Sequence, residues 1–274
     1  MTSDTPGASG QITYELDGRI AIITIDREET LNALTEPMAA QLRSVFQQAQ
    51  DDRGVRVIIL TGAGRAFCSG KDIGDISKLH PAAAAGKDGK TTDREPVPGA
   101  LGYTYVQEAT KPVIAAINGA AAGLGLILAL YCDIRIASTK AVFVTSFSGR
   151  GLIAEHGIAW ILPRLIGAGR AMDMLLASRK VGAAEALAMG LVNRVVEPES
   201  LKEAARAYAR ELADKVSPRS LRVIKKQIWA DMERPFSQAL IDARKEQLLS
   251  IESDDFREGV RHFIENRPPD FRGE

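Results

Sequence analysis

Lys111-Pro112-Val113-Ile114-Ala115-Ala116-Ile117-Asn118-Gly119-Ala120-Ala121-Ala122-Gly123-Leu124-Gly125-Leu126-Ile127-Leu128-Ala129-Leu130-Tyr131-Cys132-Asp133 holds the longest apolar stretch of the chain. A membrane span needs ~20 strongly apolar residues in a row. Here Asn118 and five small residues, 119–123, interrupt the run, and Asp133 ends it. The stretch therefore reads as a strand over 112–117, a turn of small residues and a buried helix. Small residues let a backbone come close to something. A helix start presents free N–H groups and the positive end of a dipole, which favours negative charge. On these residues alone, tight helix–strand packing explains the same glycines.

The pattern repeats outward. The β-branched run 20–25 is a strand. Thr35 is placed as an N-cap with Pro37 just inside a helix. Met38, Leu42, Val45, Phe46 and Ala49 follow at helical spacing as its buried face. Apolar segments 55–60, 134–137 and 142–144 are further strands. Strands alternating with helices predict an α/β architecture, and near-continuous apolar strands predict a sheet covered on both faces. Residues 80–100, rich in Ala, Gly, Pro and scattered charge, read as a mobile surface loop. From about residue 200 to 266 the pattern is helical, with Leu201, Ala204, Ala205, Tyr208 and Leu212 on one face and Leu221, Ile224, Ile228 and Trp229 on another. The expected organisation is a disordered tail over 1–10, a core domain over 11–199 and a helical subdomain over 200–274.

Composition narrows the function. Lys+Arg and Asp+Glu both number 35, so no overall basic field favours nucleic acid or an anionic membrane. Two cysteines, Cys68 and Cys132, both in apolar surroundings, suit a reduced cytoplasmic protein. The polar first ten residues lack the apolar core of a signal peptide. His80, His156 and His262 are far apart and without ligand spacing, so no metal site is expected.

A second glycine-rich segment is Gly62-Ala63-Gly64-Arg65-Ala66-Phe67-Cys68-Ser69-Gly70-Lys71-Asp72-Ile73. It follows a strand, but Lys71 precedes Asp72 rather than Ser or Thr, which excludes a P-loop, and no G-x-G-x-x-G opens a helix. By itself it could be an ordinary tight loop. Residues 65–73, however, resemble the first loop of the crotonase (enoyl-CoA hydratase/isomerase) family, A-F-C/S-x-G-x-D-[IL]. Residues 111–119 with Gly123-Leu124-Gly125 and Cys132-Asp133 resemble its second. Asn32-Ala33-Leu34, Leu162-Pro163-Arg164-Leu165-Ile166-Gly167, Ala184-Glu185-Ala186-Leu187 and Gly190-Leu191-Val192-Asn193 match further blocks in the right order.

The resemblance implies a repeated ββα superhelix with a C-terminal helical part used in trimerisation, giving a homotrimer or a dimer of trimers. It implies a CoA thioester substrate and no cofactor beyond the CoA that the substrate carries. Its oxyanion hole, carried over, uses the backbone amides of Lys71 and Leu124. Its CoA contacts map to Ala33, Ala66, Cys68, Ser69, Gly70, Asp72, Ile73 and Gly123. Asp72 is read as fixing the loop, and Asp133 and Arg135 as structural.

The carboxylates choose among reactions. Family hydratases use two glutamates, whose positions here hold Ile127 and Phe147, and neither can move a proton. Glu155, in Gly151-Leu152-Ile153-Ala154-Glu155-His156-Gly157, stands where family isomerases carry a carboxylate. Leu152, Ile153 and Ile158 suggest an apolar setting, which raises a carboxyl's pKa. The plainer reading is a carboxylate satisfied by the next helix start. His156 titrates near neutrality as a free residue and is read as a helix-start residue before a second acid/base. The resulting expectation is Δ3,Δ2-enoyl-CoA isomerisation by a single base. Hydration, another enolate reaction, or a CoA-binding protein without catalysis are the alternatives.

Overall fold

The computed structural model describes residues 10–77 and 102–274. The expected loop over 80–100 and nearly all of the expected N-terminal tail lie outside them. In chain order the strands are β1 (Gln11–Asp17), β2 (Ile20–Asp26), β3 (Val57–Gly62), β4 (Ala66–Cys68), β5 (Val113–Ile117), β6 (Ala120–Ala122), β7 (Ile134–Ser138), β8 (Val142–Val144), β9 (Val181–Gly182) and β10 (Arg194–Val196). The helices are α1 (Glu36–Asp51), α2 (Ile73–Ser77), α3 (Leu124–Tyr131), α4 (Ile158–Ile166), α5 (Ala168–Ala177), α6 (Ala183–Ala188), α7 (Leu201–Lys215), α8 (Pro218–Asp231), α9 (Phe236–Glu252) and α10 (Asp254–Glu265).

From β3 to β8 the strands alternate between two sheets. One has the order β1-β2-β3-β5-β7-β10, the other β4-β6-β8-β9. From β2 outward the large sheet is parallel. Each of β3, β5 and β7 is followed within a few residues by a three-residue strand that joins the small sheet, β4, β6 and β8 in turn. The repeated ββα superhelix is therefore present. Thr35 caps α1 as expected, its hydroxyl accepting from the Met38 amide, with Met38, Leu42, Phe46 and Ala49 buried beneath.

Both faces of the large sheet are covered. One side is the main core, which includes residues of α1, α3 and the small sheet. On the other, Ile22, Val57, Ile59, Ile114 and Ile136 pack against Leu201, Ala205, Ala209 and Ala213 of α7. The buried stripe of α7 is thus its alanines, because small residues let a helix approach a sheet closely; Ala204, Tyr208 and Leu212 of the expected face lie at its edge, half-buried.

The expected apolar face of α8 is only partly covered: Leu221 and Trp229 are half-buried, while Ile224 and Ile228 are exposed. Trp229 packs against the main core and stacks on Trp160, and a polar anchor adds to it. Lys225 donates to Asp133 Oδ2 at 2.8 Å and to the Lys111 carbonyl at 3.2 Å, and the same Asp133 oxygen accepts the Val113 amide at 2.7 Å. Arg135 is buried and donates to the Cys132 and Leu191 carbonyls. Both residues hold structure together, as their place between helix and strand suggested.

Candidate functional site

The helix α3 is apolar all round, with every residue buried. Its N-terminus is therefore buried with it. Gly123, at the N-cap with φ 51, has no side chain to accept an amide, and its own N–H is committed to Val144 O at 2.9 Å. The first helical bond back to the cap carbonyl comes from Ile127. Among the described residues the Leu124 amide has no backbone acceptor outside the helix. A buried helix end of this kind favours negative charge beside its free amides.

The first loop meets α3 there. Leu34 and Lys71 form a parallel bridge: Leu34 N donates to Gly70 O at 2.8 Å and Asp72 N to Leu34 O at 2.9 Å. In such a ladder the Lys71 amide points away from Leu34. Gly70 has φ +112, and a Cβ added to it would lie 3.1 Å from Ala122 O and 3.6 Å from the Leu124 nitrogen. The peptide joining Gly70 to Lys71 is thus beside the start of α3. Gly125 makes the approach possible, since a Cβ there would sit 1.9 Å from Cys68 O.

The remaining loop residues frame this gap rather than line it. Ala33, Ala66 and Cys68 are buried, so only their main chain could meet a ligand. Ser69 is tied to Thr30 O through its hydroxyl and to Leu31 O through its amide. Asp72 accepts from Arg27 at 2.6 Å and from the Gly74 amide at 2.8 Å. The Arg27 hydrogen bond holds its carboxyl below the usual range, as suits a loop-fixing group. Ile73 is largely exposed at the rim. Burial pushes the thiols of Cys68 and Cys132 up to about 12, so both stay protonated and inert. The Lys71 ammonium pairs with Glu36 at 2.6 Å, at the N-terminus of α1.

Glu155 lies in the turn before α4. The helix is capped by Gly157 with no side-chain cap bond, so the Glu155 carboxylate does not serve the helix start. Among the described residues no hydrogen bond or ion pair engages it, and the residue is half-buried. The apolar setting expected from its neighbours is not formed by them. Ile158 is buried, but Leu152 is 40% and Ile153 80% exposed. The backbone turns left-handed at Gly151, His156 and Gly157, which throws the segment outward.

His156 links Glu155 to the first loop. Its ring packs edge-on against Tyr103, centroids 5.8 Å apart. Burial of the ring lowers its pKa, Glu155 raises it and Lys71 lowers it, with a net fall, so the imidazole is neutral at pH 7. The charges of Glu155 and Lys71 therefore act on one ring.

The two positions that would carry hydratase glutamates are apolar and enclosed, Ile127 at 0% and Phe147 at 5% exposure. Sequence reading missed Tyr103, Tyr131 and Ser146. Ser146 takes φ 63, and its Cβ stands 3.9 Å from where a side chain on Gly123 would begin. Among the described residues no group of three or more His, Cys, Asp or Glu side chains could hold a metal ion, and no helix is long and apolar enough to cross a membrane.

The family model for enoyl-CoA hydratase/isomerase matches residues 15–274. A Rhodobacter capsulatus protein named probable enoyl-CoA hydratase is 41% identical over 96% of this chain and 98% of its own. The 1,2-epoxyphenylacetyl-CoA isomerase of Escherichia coli is 37% identical over 96% of this chain and 98% of its own. The crystal structure of an enoyl-CoA hydratase from Bacillus anthracis superposes with a TM-score of 0.85 at 31% identity, covering 96% of this chain and all of that one.

Proposed function

The chain belongs to the enoyl-CoA hydratase/isomerase family, and from that premise we propose that it moves a double bond along an acyl-CoA, converting a 3-enoyl into a 2-enoyl thioester. In this reading the thioester oxygen accepts from the Lys71 and Leu124 amides. Glu155 takes a proton from C2, the electron pair spreads into a dienolate whose charge rests on the thioester oxygen, and the same carboxyl returns the proton at C4. One proton and one π system rearrange within one molecule, so the step needs no cofactor beyond the CoA of the substrate. The observation that carries the reading is the pairing of an uncommitted Glu155 with buried Ile127 and Phe147 where a hydratase would need two glutamates. The relatives' names include both hydratase and isomerase, so names alone do not choose.

A side-by-side assay tests it. Purified protein should convert 3-enoyl-CoA to 2-enoyl-CoA faster than it adds water to 2-enoyl-CoA. Rapid hydration without isomerisation would overturn the choice of reaction and leave the family standing.

The C-terminal helices support assembly into a trimer or dimer of trimers. Phe236, Leu240, Ile241, Leu248, Phe263 and Ile264 are all exposed on a single chain. Large apolar patches of this sort mark interfaces, and closed symmetry is the usual outcome. Light scattering at micromolar concentration should report three or six copies; a monomer would refute the assembly.

A further inference from the structure

Tyr131 is the last residue of α3, the helix whose first residue is Leu124. It is buried, and its hydroxyl donates to the main-chain carbonyl of His156 at 2.5 Å. That carbonyl belongs to the residue directly after Glu155. Seven residues at 1.5 Å each separate the two ends of the helix by about 10 Å, a span that does not flex.

The peptide it grips is held in an uncommon shape. His156 has φ 49 and Gly157 φ 68, two left-handed residues in a row. For a residue with a side chain that conformation costs about 1–2 kcal/mol. Such a turn persists only when its surroundings determine it. Its other restraints among the described residues include the bond from Ile158 N to Glu155 O at 3.1 Å, the bonds from Trp160 N and Ile161 N to Gly157 O at 2.9 and 3.1 Å, and the edge contact of the His156 ring with Tyr103. Among the described residues the Tyr131 bond is the hydrogen bond that joins the turn to the helix carrying the Leu124 amide. Burial raises the Tyr131 pKa, so its O–H remains a donor through the neutral and mildly alkaline range.

We propose that Tyr131 is a positioning residue for Glu155. One rigid helix bears an anion-stabilising amide at its first residue and, through the hydroxyl at its last, fixes the turn that carries the base. The distance between proton acceptor and thioester oxygen is then set by a helix rather than by a surface loop. The inference rests on Glu155 being the base.

A displacement of about 1 Å from productive geometry can cost ~10²-fold in rate. Tyr131→Phe keeps the ring and loses only the grip, so kcat for 3-enoyl-CoA should fall by about 10- to 100-fold with KM nearly unchanged. His156→Val, placed in the turn itself, should produce a similar loss, because a β-branched residue resists positive φ. The deciding measurement is a double-mutant cycle with Glu155→Gln. If Tyr131 acts through the carboxylate, adding Tyr131→Phe to Glu155→Gln should leave the residual turnover nearly unchanged. Should Tyr131→Phe prove unstable, the same cycle with His156→Val carries the test. Wild-type kcat in Tyr131→Phe, or an equal fractional loss in both backgrounds, would overturn the positioning role while leaving Glu155 as the base. Full activity in Glu155→Gln alone would remove the base assignment first, and the positioning role with it.

Discussion

Glu155→Gln is expected to lower isomerase turnover by about 10²–10⁴-fold, the usual worth of a positioned base. Glutamine keeps the shape and the half-buried volume but cannot accept a proton under these conditions. No hydrogen bond or ion pair of the Glu155 carboxylate is lost among the described residues, so folding should be unaffected. Binding of CoA thioesters should likewise persist, because the amides of Lys71 and Leu124 are untouched. The measurement is kcat and KM for 3-enoyl-CoA, together with exchange of the C2 proton in heavy water. A variant that exchanges and isomerises at the wild-type rate would end the single-base reading. The carboxylates of Glu36 and Asp72, tied to Lys71 and Arg27, are then not substitutes for it, since each already holds a cation.

Leu124→Pro probes the other half of the chemistry. Proline has no N–H, and it is tolerated in the first turn of a helix because the amides there make no intrahelical bond. Position 124 opens α3, so the helix should form. Gly123 before it has ψ −118, outside the helical region that a following proline disfavours. The variant should fold, bind the CoA moiety, and lose about 10²–10³-fold in turnover, as when one donor of an oxyanion hole is removed. Melting monitored by circular dichroism separates folding from chemistry. A folded Leu124→Pro with full activity would show that the thioester oxygen sits elsewhere.

Much of this site can be read in the sequence because its parts are local. Thr35 and Pro37 announce α1, and the glycines between Asn118 and Leu126 announce a helix start pressed against another backbone. Asp72 and Asp133 stand where loop and strand need a fixed acceptor. The short strands β4 and β6 are harder. Ala120–Ala122 has no strand propensity of its own; it becomes a strand because Ala66–Cys68 and Val142–Val144 lie on either side of it in space. Tyr131 and Tyr103 gave no periodic signal either. The partner they share, His156, is distant in sequence, and an aromatic residue at the end of an apolar helix reads as core. Leu152 and Ile153 mislead for the converse reason: apolar neighbours in sequence were flung outward by a left-handed turn whose tendency lies in the backbone, with His156 among its residues.

Because α3 is buried along its whole length, its first turn is largely shielded from dissolved ions. Mobile salt weakens charges only where it can gather around them, over about 8–10 Å in ordinary buffers. The pull of the helix start at Leu124 is thus only weakly screened by salt, whereas the Lys71–Glu36 pair is open to screening. Salinity should therefore alter how an anionic guest arrives at this protein more than the force it meets inside.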